Sequence, residues 1–223
     1  RQILLVLDNI EHLLDSTDLL IEILTHAPDI KLLITSRERL NIREEWVVSV
    51  AGMTFPTHHN EIDANRYSAL QLFIQSARRA SPAFVFKDHV PAVAHICQLV
   101  EGMPLGIELA VSWLRVMPVA QIEDEILHNL DILQTSLRNV PERHRSLRAT
   151  FEVSWFLLNE TERRLLQHLS VFRGRFQQAA ARLIAQASAL TLLTLCDKSL
   201  LSIDDGHYKV HELIRQFAAE KLS

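Results

Sequence analysis

The chain has 223 residues, 48% of them apolar, and a formal net charge of −4. That composition suits a globular protein, of more than one domain by length, rather than a disordered chain. No apolar stretch approaches the ~20 residues of a membrane span, and an acidic balance gives no general attraction to nucleic acid or anionic lipid.

Ile3 to Leu7 is an unbroken apolar run, too short for a buried helix, and reads as a strand covered on both faces. It ends in Asp8 and Asn9. Glu11 to His26 has helical spacing and is closed by Pro28. Lys31 to Thr35 is a second strand, running into Ser36 and Arg37, and Trp46 to Val50 alternates as a third. Ligands of open α/β sheets bind outside the carboxyl ends of the strands. Two neighbouring strands therefore deliver Asp8 and Arg37 to one edge: an acid able to hold Mg²⁺ beside a cation able to hold phosphate. The plainer reading is that Asp8 caps the following helix and Arg37 is solvated.

Thr57 to Asn65 reads as a linker, and the periodicity beyond it is helical. Leu70, Phe73, Ile74 and Ala77 mark one helix. Val90, Val93, Cys97 and Val100 mark the next, with Asp88 as its N-cap. Gly102-Met103-Pro104-Leu105 breaks the chain and starts an apolar helix from Leu105 to Met117, with Pro104 in its first turn. A shorter helix follows at Ile122 to Leu127. A third unit begins near Arg143, with helices at Leu147 to Leu158 and Arg163 to Val171. Asn159 to Glu162 forms a capping box ahead of the latter. Two short helices cover Ala179 to Ile184 and Ala189 to Cys196. Leu200 to Ile203, the turn Asp204-Asp205-Gly206 and His207 to Val210 form a hairpin, and a last helix presents Leu213, Ile214, Phe217 and Ala218. Helices followed by a short hairpin describe a winged helix. Cys97 and Cys196 lie far apart in helical patterns, which points to reduced core residues and the cytoplasm. Of the 11 histidines none has metal-ligand spacing, and His58-His59 lacks an acid–cysteine cluster.

These residues add up to a resemblance. Ile3-Leu4-Leu5-Val6-Leu7-Asp8-Asn9 resembles the Walker B strand of the signal-transduction ATPases with numerous domains. These are P-loop NTPases that include plant disease-resistance (NB-ARC) proteins and large bacterial transcriptional regulators. Leu33-Ile34-Thr35-Ser36-Arg37 is similar to their sensor 1 strand, Gly102-Met103-Pro104-Leu105 to their Gly-Leu-Pro-Leu motif, and Val210-His211-Glu212 to their Met-His-Asp motif. Asp197-Lys198-Ser199-Leu200 and Arg215-Gln216-Phe217-Ala218 resemble the bacterial regulator branch. The order and spacing of the motifs cover essentially the whole chain.

The resemblance implies a fold and a set of roles. The fold is part of a parallel-sheet α/β nucleotide domain (residues 1–56), a helical domain (57–140) and a winged-helix domain (141–223). ATP or ADP with Mg²⁺ would be the cofactor of a signalling switch that self-associates when active and works with further sensor and output domains. Asp8 would hold Mg²⁺ through water, Arg37 would sense the γ-phosphate, and Ser36 beside it would belong to the nucleotide site. Pro104 would pack on adenine, and His211 would reach the β-phosphate of ADP. Asn9 stands where many relatives have a catalytic acid, and an amide takes no proton at neutral pH, which implies slow turnover at most. Pro104 as a helix starter and His211 as a local hydrogen-bonding residue are equally good structural readings. The family's glycine-rich phosphate loop is missing from this sequence, and its place would be upstream of Arg1. The chain therefore reads as a piece of a longer protein that grips nucleotide poorly alone, with a free sheet edge along Leu32 to Thr35. Two further readings are direct DNA binding and a plain interaction scaffold. Ser188 to Cys196, the candidate recognition helix, offers no side chain for base edges and reads as buried, which disfavours DNA.

Overall fold

The computed structural model describes residues 2–58, 62–135 and 145–222. His59 and Arg143 lie outside the described residues. Strands β1 (Ile3–Leu7) and β2 (Ile30–Ile34) pair in parallel, in register from Ile3↔Ile30 to Leu7↔Ile34. The expected single helix between them is two pieces: a 3-10 segment, Ile10–Ser16, and α1, Thr17–His26. Leu13, at φ −121°, breaks the helical geometry.

Two expectations about this layer are corrected. β1 is not covered on both faces: Ile3, Leu4 and Val6 are 51%, 61% and 56% exposed. One helix can shield only one side of a two-stranded sheet, and both outer edges are unpaired among the described residues. Trp46 to Val50 is extended but is not a strand, because a ladder needs a partner and none runs beside it.

The next layer is helical: α2 (Ser68–Ala80), α3 (Val90–Leu99), α4 (Pro104–Ser112) and α5 (Val119–His128). Leu70, Phe73, Ala77, Val93, Ile96, Cys97, Ile107, Ile122 and Ile126 are completely buried in it. The Leu105 to Met117 helix is shorter than its apolar run, ending at Ser112 before a 3-10 turn at Trp113–Arg115. Asp88 is not the cap of α3; it closes a 3-10 turn, and His89 precedes the helix.

In the third part, α6 (Leu147–Phe156) and α7 (Glu160–Leu169) precede β3 (Arg175–Phe176), α8 (Gln178–Ala185) and α9 (Ala189–Asp197). The hairpin β4 (Leu201–Asp204) and β5 (His207–Val210) leads into α10 (Glu212–Glu220). The sheet is antiparallel in the order β3–β5–β4. The capping box at α7 forms as read, Asn159 Oδ1 accepting from Glu162 N at 3.0 Å. The hairpin turns through Asp205 and Gly206, both at positive φ, and α10 buries the four residues read from its pattern. The Ser188 to Cys196 helix is only half buried: Leu192 and Leu195 face inward, while Leu190 and Leu193 are 71% and 53% exposed. One apolar cluster runs from Ala69 to Ala218, through Leu130, Leu133 and Leu147, so the second and third parts share a core. Ile10 and Leu20, the buried apolar residues of the β1–β2 layer, are not in it.

Candidate functional site

The register of β1 on β2 places Asp8 across from Thr35 at the carboxyl ends of the strands. Thr35 N donates to Leu7 O at 2.9 Å, continuing the ladder one step past the strand. The Thr35 hydroxyl then donates to Asp8 Oδ1 at 2.5 Å and accepts from Asn9 N at 3.0 Å. Asn9 sits at φ 63°, a left-handed conformation that asparagine tolerates better than most residues. The strand edge therefore presents a fixed carboxylate with one oxygen engaged. Thr35 went unremarked as a site residue in the sequence; the strand pairing is the signal that finds it.

Ser36 and Arg37 leave this edge. Ser36 Oγ accepts from Glu38 N at 3.2 Å in a tight local turn. Arg37 Nη1 donates to Thr150 O at 2.9 Å and to Ser154 Oγ at 3.1 Å, both on α6. Its Nε lies 3.3 Å from Glu11 Oε1. The Glu11 side chain is 1% exposed, and neither of its oxygens has a hydrogen-bond partner. Arg37 is therefore the counter-ion of a buried carboxylate and a tie between the sheet and the third part. Arg39 adds a second tie, donating its N–H to Asp197 O at 3.1 Å with Nε 3.4 Å from Asp197 Oδ1. Nearby, Lys198 Nζ meets Glu162 Oε2 at 2.9 Å and Leu157 O at 3.0 Å. Burial pushes the Glu38 carboxyl above its ordinary value, against the pull of the Lys198 ammonium.

Pro104 and His211 belong to a second cluster. Pro104 starts α4 after a turn in which Glu101 and Gly102 have positive φ. Met53 N donates to Gly102 O at 2.8 Å, and a Cβ on Gly102 would lie 2.0 Å from Met53 O. Only glycine allows that crossing of two backbones. Glu101, just before the turn, reaches the third part: its Oε1 is 2.8 Å from Lys209 Nζ and accepts from Glu212 N at 3.3 Å. His211 lies between those partners. Its Nδ1 accepts from Leu213 N at 3.2 Å, capping α10, and its buried Nε2 has no hydrogen-bond partner. Burial pulls the imidazole below its ordinary value; Glu101 opposes that and Lys209 reinforces it. Glu101 is the functional candidate that sequence reading missed, and its only signal was an acid beside the glycine turn.

The Gly102 turn and the His211 segment thus meet, whereas Asp8 and Arg37 go to separate partners. No hydrogen bond or ion pair among the described residues joins Asp8 to either cluster. The described residues contain no group of three or more His, Cys, Asp or Glu able to hold a metal ion. Asp8 with Thr35 fits a divalent cation held through water. A phosphate grip is not made by Arg37 or His211 as they stand: Arg37 is engaged by α6 and Glu11, and His211 has Nδ1 on Leu213 N and Nε2 buried. No single helix among the described residues is long and apolar enough to cross a membrane.

No family model matches the chain. Over 235 residues and its whole length it is 35% identical to a Mycobacterium tuberculosis protein named as an HTH-type transcriptional regulator. A disease resistance protein of Arabidopsis thaliana is 23% identical over 225 residues, with 17% of that protein covered. The crystal structure of a STAND protein with a tetratricopeptide repeat sensor, from Pyrococcus horikoshii, aligns over 98% of this chain and 28% of its own. The identity is 20% and the TM-score 0.33, too loose a likeness to carry an argument. The chain spans 26% of the length of the regulator it matches and is similar to that part of it from end to end.

Proposed function

We propose that the chain is part of an ATP/ADP-controlled switch in a longer regulatory protein, with residues 1–56, 57–140 and 141–223 as its nucleotide, helical and winged-helix portions. The observation that carries this reading is the pair Asp8–Thr35, fixed at the carboxyl ends of two parallel strands. Asp8 would hold Mg²⁺ through water, with Thr35 fixing the carboxylate. Bound Mg²⁺ would neutralise phosphate charge. Arg37, Ser36, Pro104 and His211 are the residues proposed to face the nucleotide once Arg37 and His211 leave their present partners. Asn9 offers no base, which favours holding nucleotide over rapid hydrolysis.

The test uses the longer protein that contains this chain. Asp8→Asn should leave Mg²⁺-free ADP binding unchanged and weaken Mg²⁺-ATP binding by about tenfold or more, the worth of one charge-assisted contact. Titration calorimetry with and without Mg²⁺ reads both. An unchanged Mg²⁺-ATP affinity would remove Asp8 from the site and with it the central support of the reading. A protein-interaction role is favoured over DNA binding by the outer face of α9, where Leu190 and Leu193 are exposed.

A further inference from the structure

A groove of about 740 Å³ lies in the helical part, between α2 and the connector at Phe84 to Lys87, and neither Asp8 nor His211 lines it. On α2, Ile74 and Arg78 are one turn apart and share a face, so an apolar contact and a cation stand side by side. From the connector, Phe84 and Phe86 form half-buried apolar wall, Val85 is 51% exposed, and Lys87 supplies a second cation. No carboxylate among the described residues lines the groove. Neither Arg78 nor Lys87 has an ion-pair partner among the described residues, in a molecule whose net charge is −4. Asn65, Gln71 and Gln75 add neutral polar groups to the lining. A groove with an apolar wall and two cations on an acidic protein selects a ligand that brings negative charge and aliphatic side chains together.

We infer that this groove docks an acidic peptide segment bearing aliphatic residues. Two cations are too few for an anionic membrane, where basic clusters of roughly four to eight residues are needed. The Phe84 ring is already occupied rather than presented for base stacking: it is stacked on His89 at 5.6 Å and leans on Phe73 at 6.0 Å. A peptide laid in the groove, with aliphatic anchors on the wall of Ile74 and Phe84 to Phe86 and acids toward Arg78 and Lys87, meets both features at once. This proposal is independent of nucleotide binding.

The test titrates the 223-residue chain into a fluorescein-labelled peptide of alternating glutamate and leucine, read by anisotropy. Saturable, salt-sensitive binding is expected. The glutamine–leucine peptide should bind roughly 2- to 30-fold more weakly, as expected for two exposed ion pairs. The double variant Arg78→Glu/Lys87→Glu alters only exposed positions, and its unchanged circular dichroism guards against misfolding. It should lose the glutamate peptide and gain the lysine–leucine one, an exchange that a merely sticky surface does not produce. Equal binding of acidic and neutral peptides, indifference to charge reversal, or no saturable binding each overturns the proposal. So does capture of phosphatidylserine vesicles without the peptide, or a dimer seated on this groove in sedimentation.

Discussion

At position 211 two demands meet on one imidazole. Its Nδ1 must stay unprotonated to accept from Leu213 N, and its Nε2 is shut away from water. The folded state therefore binds a proton less readily than the unfolded chain, whose imidazole titrates near 6.5. Stability is complete above that value and is lost as the pH falls below it toward the lowered native one. His211→Asn keeps an acceptor for Leu213 N and removes the titration. Urea unfolding between neutral and mildly acid pH should show the wild type losing stability faster than the variant; parallel curves would deny burial its hold on His211. Gly102 makes a steric case. A methyl there is left-handed at φ 69° and overlaps the Met53 carbonyl. Gly102→Ala should destabilise by more than about 2 kcal/mol, measured by the same unfolding. Neither residue showed its neighbour in the sequence. Met53 is 49 positions from Gly102, and the Glu101 contact to Glu212 spans 111. A turn or a cap is written locally, whereas these partners depend on how distant segments pack.

Elements were legible where local chemistry decides them. The α7 capping box, the Asp205-Gly206 turn and the four-residue face of α10 each follow from neighbours a few positions away. Trp46 to Val50 misled because alternation reports a chain able to join a sheet and says nothing of an available edge. The strand β3 was missed because its two residues are too few to carry a period. In α9 the apolar run reads as buried, yet among its leucines only Leu192 and Leu195 are. Its exposed face carries leucines without a lysine or arginine, and Lys198 beyond it is held by Glu162 and the Leu157 carbonyl. The chain should therefore not retard duplex DNA at physiological salt in a gel-shift assay. A salt-dependent complex weakened by Lys209→Ala would reverse that assignment.

The whole molecule has two kinds of cohesion. From Ala69 to Ala218 it is held by a continuous apolar cluster, while the β1–β2 layer has its own small core around Ile10 and Leu20. Arg37 and Arg39 tie the two together. Removing Arg37 strands the Glu11 carboxylate without its counter-ion. Scanning calorimetry should show a small transition for the layer below a large one for the remainder. Arg37→Ala should weaken the first by roughly 3 kcal/mol, the low end for a buried pair because Arg37 is partly exposed, and leave the second in place. A single transition, shifted as a whole, would mean the layer melts with the rest.

The joint at Arg37 has a further consequence. An apolar contact slides; its strength changes little over small displacements. A guanidinium bonded to a main-chain carbonyl and a serine hydroxyl at 2.9 and 3.1 Å, with a bare buried carboxylate behind it, holds at one angle and fails a short distance away. The sheet layer therefore has a single seat on α6. Once unseated, Glu11 must find water, so a half-released position has nothing to stabilise it. The joint works as a snap rather than a swing.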